Sequence, residues 1–194
     1  MRKGMTIIEL VVVIVVLSIV MLFVTNFMIF QHKSITEQKA KIDTNKRIAK
    51  TYEYIAASLR EVGYCQNTSA GGFGIVDGVI GATIISPDSI HLPYTTDQDE
   101  SGTLNAGDAI IIYYNTADST LHKYQNGNDA ILVTGIDSLQ FLYHYEDGDS
   151  SLAPAAGTYG SIRAIDIHLK ASCKYGNKTY EKEYTGVTYL RNVN

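Results

Sequence analysis

The 194-residue sequence predicts an α+β protein. A long N-terminal α-helix, membrane-embedded in its first half, packs by its second half on an antiparallel β-sheet head. Three observations carry this reading. A nearly uncharged apolar run ends at Phe30, apolar positions then continue at helical spacing to Val62, and from Thr83 the pattern changes to short segments that alternate or run apolar between turn residues.

The apolar run comes first. Arg2, Lys3 and Gly4 precede it, and Glu9 is its single charge. Ser18, Thr25 and Asn26 are the polar interruptions after Leu10, and no proline occurs. Crossing a bilayer core takes roughly 20 apolar residues, and this run is long enough. A cleavable secretory signal has a shorter apolar core, about 7–15 residues, that ends at small residues. This run lacks such an end. A plain single-pass anchor is the other alternative. An acid inside an apolar helix costs on the order of a few kcal/mol, so Glu9 needs a reason. Arg2 and Lys3 favour a cytoplasmic N-terminus, and Lys33, Lys39 and Lys41 oppose it, so charge alone does not orient the span.

These residues resemble a known family. Basic residues, Gly4, then MTIIEL (5–10) and a valine-rich helix look like the class III signal of type IV pilins and type II secretion pseudopilins. The resemblance implies cutting between Gly4 and Met5 by a prepilin peptidase, with N-methylation of Met5. Glu9 is then the fifth residue after the cut, where the family has its glutamate. Met5 departs from the usual phenylalanine. Asn26 stands where many major pilins have a helix-kinking proline, which favours a minor pilin or pseudopilin. The implied organisation is a leader at 1–4, a transmembrane and filament-core helix at 5–30, an amphipathic stalk helix at 31–64 and a β-rich head at 65–194. Glu9 also gains a physical role. A carboxylate among packed apolar helices is unfavourable alone and compensated when it faces the positive amine of a neighbour's Met5.

In the stalk, Ile35, Ile42, Ile48, Tyr52, Ile55, Leu59 and Val62 form one apolar stripe, sparse before Ile48 and dense after it. The first part is therefore expected to project and the second to pack on the head. Gly63 suits a helix C-terminal cap. Unbroken from Met5 to Val62, the helix would be about 87 Å long. The segment LREVGY (59–64) further resembles the helix end of PilW-like minor pilins and J-type pseudopilins.

Charge separates stalk from head. Residues 31–64 carry seven basic and four acidic groups, +3, whereas residues 65–194 carry seven and fifteen, −8. An acidic head lacks the basic footprint that phosphates require, so no nucleic acid is expected as its ligand. The basic stalk suits anionic membrane lipid or a partner protein.

Within the head, glycines from Gly71 to Gly81 read as a flexible connection with no phosphate-loop motif. Short strands are expected at 83–86 and 89–94. Residues 109–114 and 121–124 flank turn residues and read as a hairpin. Leu139, Phe141, Tyr143 and Tyr145 alternate on one face of a strand over 138–146, as do Ile165, Ile167 and Leu169 over 162–171. Residues 150–160 read as an exposed loop, and 178–190 as a strand pair or one long bent strand. Relatives of this layout build the head from two small sheets, which the hairpin pattern allows.

Residues 97–108 fit a twelve-residue calcium loop. Oxygen side chains fall at Asp97, Asp99 and Ser101, with Thr103 next in the alternation, glycine at position 6 and Asp108 at position 12. Calcium needs six to eight oxygens, and the flanks here are strands, so an acidic solvated hairpin loop is the competing reading. Asp147 and Asp149 read as a turn. A Cys65–Cys173 disulfide would close a loop of about 100 residues, worth roughly 4 kcal/mol by chain entropy. Such a pair fits an oxidising compartment. The five histidines form no His-x-x-x-His pair and read as surface residues, and no nucleophile elbow occurs, so no enzyme is expected. The fourteen tyrosines read mainly as half-buried strand residues, with an adhesive patch as the alternative.

The resemblance thus implies a minor pilin of a type IV pilus, at or near the filament tip. Its partners would be other major and minor pilins or pseudopilins, the prepilin peptidase, an inner-membrane assembly platform and membrane lipid. The expected location is the bacterial inner membrane with the head in the periplasm, then the filament. A J-type pseudopilin of type II secretion and a membrane-anchored binding module that never polymerises are the alternatives.

Overall fold

The computed structural model describes residues 7–64, 74–97, 100–101 and 103–190. Among the described residues one helix, α1, runs over Ile7–Glu61, and ten strands follow it. The chain forms two compact units, Met1–Ile42 and Asp43–Asn194.

The first unit holds the apolar part of α1. Its large apolar side chains project on every side of the helix, from Val13 at 47% exposed to Ile7 at 82%. No stretch of it has a polar face, so no single stripe exists to bury.

In the second unit α1 turns one face inward. Thr44, Ile48, Thr51, Ile55, Ser58 and Val62 are buried at spacings of three and four, and Ala56 and Leu59 widen the same buried face. Gly63, at φ +72°, takes the left-handed conformation that ends the helix, and its N–H donates to Thr95 O at 3.1 Å.

The sheets form in chain order. A small hairpin pairs β1 (Gly78–Ile80) with β2 (Thr83–Ile85). The first four-stranded antiparallel sheet has the order β3-β4-β5-β6, from β3 (His91–Thr95), β4 (Ala109–Asn115), β5 (Thr120–Gln125) and β6 (Asn128–Thr134). The second has the order β10-β9-β7-β8, from β7 (Ser138–Tyr145), β8 (Ser150–Ser151), β9 (Ile162–Tyr175) and β10 (Lys178–Tyr189). The backbone between β2 and β3 stitches the sheets together. Ser89 O accepts from Phe141 N–H at 2.8 Å and Ile90 O from Tyr114 N–H at 3.0 Å.

One apolar core joins Ile48, Ile55 and Leu59 of α1 to both sheets, including Leu92, Ile112 and Leu121 from the first and Phe141, Ile165 and Ile167 from the second. Of the alternating inward positions read from the sequence, Leu139, Phe141, Tyr143, Ile165, Ile167 and Leu169 are buried, and Tyr145 is half-buried. The continuous run Ile110, Ile111 and Ile112 is buried on both faces of β4. Gly78 explains how. A Cβ there would lie 2.7 Å from the Ile111 side chain, so β1 approaches β4 closely because the residue is glycine. Gly78 is therefore a strand residue rather than part of a flexible connection.

Two further segments differ from the sequence reading, and residues 178–190 take the second of its two alternatives. Asn126 and Gly127, at φ +53° and +76°, form the tight turn that joins β5 to β6, a strand the periodicity did not reveal. Residues 178–190 yield one strand that pairs with β9 at every position from Lys178 to Tyr189. The loop at 150–160 contains the two-residue β8, a 3₁₀ turn at Tyr159–Ser161 and a buried Pro154.

Polar anchors lock this packing. Arg47 donates from Nη1 to Gly135 O at 2.9 Å and from Nη2 to Ser172 O at 3.5 Å, tying the helix to the β6–β7 link and to β9. The Tyr114 hydroxyl lies 2.8 Å from both Ile136 O and Asp137 O, and that of Tyr143 lies 2.8 Å from His91 O. Burial pushes the Tyr143 phenol well above its ordinary pKa.

Candidate functional site

The N-terminal half of α1 is the first candidate. Its most apolar 18-residue window has a mean hydropathy of 3.3 and none of it is buried, so by length and composition it can cross a membrane. Its hydroxyls are turned back onto the helix. Ser18 Oγ donates to Ile14 O and Thr25 Oγ1 to Met21 O, each at 2.8 Å. Both polar groups are thereby satisfied within the helix and add little cost in an apolar surrounding. Glu9 is exposed in the first turn, where the positive end of the helix dipole favours a carboxylate. Gly4 and Met5 lie outside the described residues.

Residues 1–25 match the family described as the prokaryotic N-terminal methylation motif. The chain carries a class III prepilin signal. The motif implies processing by prepilin peptidase and assembly with other pilins. With the long apolar helix it supports a membrane anchor, and the α+β architecture fits a pilin fold. No curated protein matches the chain.

The calcium-loop residues are distributed as follows. Asp99 lies outside the described residues. Asp97 and Asp108 are buried, whereas Ser101 and Thr103 are exposed and their hydroxyls bond each other at 3.1 Å. Asp108 Oδ2 accepts from Asn105 N–H at 2.9 Å, and Asn105 Oδ1 from Gly107 N–H at 2.9 Å, capping the 3₁₀ turn Ala106–Asp108. Among the described residues no group of three or more His, Cys, Asp or Glu is placed to hold a metal ion.

Cys173 is half-buried on β9, and Cys65 lies outside the described residues. Asp147 and Asp149 sit in the turn after β7, where Asp147 Oδ1 accepts from Asp149 N–H at 3.1 Å.

The histidines correct the sequence reading at one position. His122 is buried at 7% exposed rather than at the surface. Its Nδ1 lies 3.1 Å from Asp129 Oδ1 and its Nε2 2.6 Å from Thr120 Oγ1, which in turn bonds Asp118. The ring stacks on Tyr113 at 4.9 Å, and Tyr113 stacks on His91 at 6.0 Å. Burial, then donation to Asp129 at 2.7 Å, raises the Tyr113 phenol above its ordinary pKa. A hydroxyl, an imidazole and a carboxylate in series are the parts of a hydrolase triad. Here Thr120 is 5% exposed and its hydroxyl also bonds Asp118, so the network joins β5, β4 and β6. The signal for it lay in Thr120 and His122 at alternate positions of β5, with Asp118 in the turn just before them.

Proposed function

We propose that this protein is a minor pilin subunit of a type IV pilus. Prepilin peptidase cuts it between Gly4 and Met5, and Met5 is methylated. The chain waits in the inner membrane with its head in the periplasm. It then enters the filament at or near the tip, where it helps to initiate assembly. Its role is structural and not enzymatic. The observation that supports this best is the helix matched by the methylation motif, whose apolar side chains lie exposed on every side. Such a surface suits lipid before assembly and neighbouring helices after it. Glu9 selects register by facing the Met5 amine of a neighbour.

The test is the intact mass of the protein from its own cells, with and without prepilin peptidase. The expected result is a peptidase-dependent loss of residues 1–4 and a gain of one methyl group. A chain starting at Met1 in both cases would overturn the filament reading and leave the static anchor. The same spectrum, read with and without reductant, tests the proposed Cys65–Cys173 bridge. A J-type pseudopilin shares each of these N-terminal features. Deletion scored for surface pili and for secreted enzymes separates it from a minor pilin.

A further inference from the structure

Most sheet edges in the head are short, covered or irregular. β3 contains Pro93 and is closed by Gly74 to Val76, with Thr95 N–H donating to Gly74 O at 2.8 Å and Ile75 bridging Tyr94. β6 meets β5 through a register shift at Leu121/His122, and β8 has two residues. Short strands, prolines and bulges are the usual protections against another chain pairing there. β10 lacks them. It is twelve residues long, regular against β9 and free of proline, and among the described residues no strand lies on its other side.

A groove of about 470 Å³ runs beside this strand, within the unit Asp43–Asn194. Ala49 and Glu53 of α1 form one wall, and Lys182 and Tyr184 of β10 the other. Ile48 and Tyr52 line it between them. Tyr52 is held in place by an edge contact with Tyr184 at 4.7 Å and by Gly186, where a Cβ would lie 2.4 Å from the Tyr52 ring. The opposite face of β10 carries Glu181 and Glu183, with side chains 55% and 74% exposed. Lys170 lies 3.1 Å from the first and 3.5 Å from the second, so the trio keeps one net negative charge.

We propose that the outer edge of β10 is a strand-addition site for an extended segment of a partner chain that alternates apolar and basic residues. An added strand directs successive side chains to opposite faces. One set enters the groove over Ile48 and Tyr52, and the other meets Glu181 and Glu183. The uncharged stretch from Tyr184 to Tyr189 offers main-chain pairing without a charged gatekeeper, and the acidic head attracts a cationic segment. The inference is independent of the filament reading, because edge and groove lie within the second unit whether or not the chain polymerises.

The test uses the full chain in detergent micelles and a short, end-capped peptide of alternating lysine and valine, read by amide hydrogen exchange. The expected result is slowing of β10 amides by about tenfold. The same peptide with alternate amides methylated, or with glutamate for lysine, leaves exchange unchanged. Glu181→Lys with Glu183→Lys weakens binding severalfold, and Ala49→Trp, at an exposed position, blocks it with the circular dichroism unaltered. No protection at β10, or equal protection by the methylated or glutamate peptide, overturns the proposal. Protection that rises with protein concentration in the absence of peptide assigns the edge to a second copy and overturns it as well.

Discussion

Two stretches of one helix use apolar side chains in opposite ways. Between Ile7 and Phe30 they point in every direction and stay exposed, with Phe23 at 73%. Between Asp43 and Glu61 they are fewer, yet Ile48, Ile55 and Leu59 are almost wholly buried. Apolar content therefore does not decide burial within the chain; periodicity does. A helix that is apolar all round has no face to turn toward a sheet, and its counterpart is lipid or other helices. A helix with one stripe has a single solution, and the sheets supply it.

The largest expected effect tests the first stretch. Glu9→Ala abolishes incorporation into filaments, scored as the fraction of the protein in sheared surface fibres. Head stability stays within about 0.5 kcal/mol, because the substitution is remote from the core. Wild-type incorporation of this variant would break the assigned role of the carboxylate.

A paired substitution sharpens the comparison. Phe141 is fully buried between the sheets and α1, so Phe141→Ala costs about 3–5 kcal/mol. Phe23→Ala removes the same side chain from an exposed helix and leaves unfolding of the head within about 0.5 kcal/mol. Denaturant unfolding of the full chain in detergent, followed by tyrosine circular dichroism, reads both. Similar losses at the two positions would mean that the stretches are not distinct in energy.

Arg47 comes next, because it fixes the packed stretch to the sheets. Arg47→Ala removes its bonds to Gly135 O and Ser172 O and is expected to cost about 1–3 kcal/mol in the same assay. Arg47→Lys recovers only part of this, since an ammonium on a flexible stem does not reproduce the planar fork that reaches both carbonyls. Full recovery would assign the effect to charge alone.

The long elements were legible because their patterns are long. The stripe from Ile48 to Val62 and the alternation in β7 and β9 each repeat several times, which leaves one choice of face. β6 was not legible from its own residues. Asn128 to Thr134 is an edge strand that exposes Ile131, so it lacks clean alternation, and the Asn126-Gly127 turn was its only clear mark. Missing β6 also hid the surroundings of His122, because Asp129 reaches the ring only across the β5–β6 hairpin. The prepilin signal was legible for a different reason. Its glycine, acid and apolar run are contiguous in sequence and need no tertiary contact to be recognised.

The smallest expected effect concerns calcium. Two proposed ligands at the ends of the loop, Asp97 and Asp108, are buried, and Asp108 already accepts from the Asn105 N–H. Binding must compete with that cap, so a weak site in the 10⁻⁴–10⁻³ M range is the appropriate expectation. At about 1 mM calcium, mass action then adds roughly 0.4–1.4 kcal/mol to head stability. That corresponds to a rise in melting temperature of a few degrees between chelator and calcium. Asp97→Asn should remove the rise while leaving the melting temperature in chelator close to that of the parent chain. Identical melting of the parent chain in both conditions would assign the loop to hairpin closure alone, with Asp108 accepting from the Asn105 N–H to complete the capping box of its 3₁₀ turn.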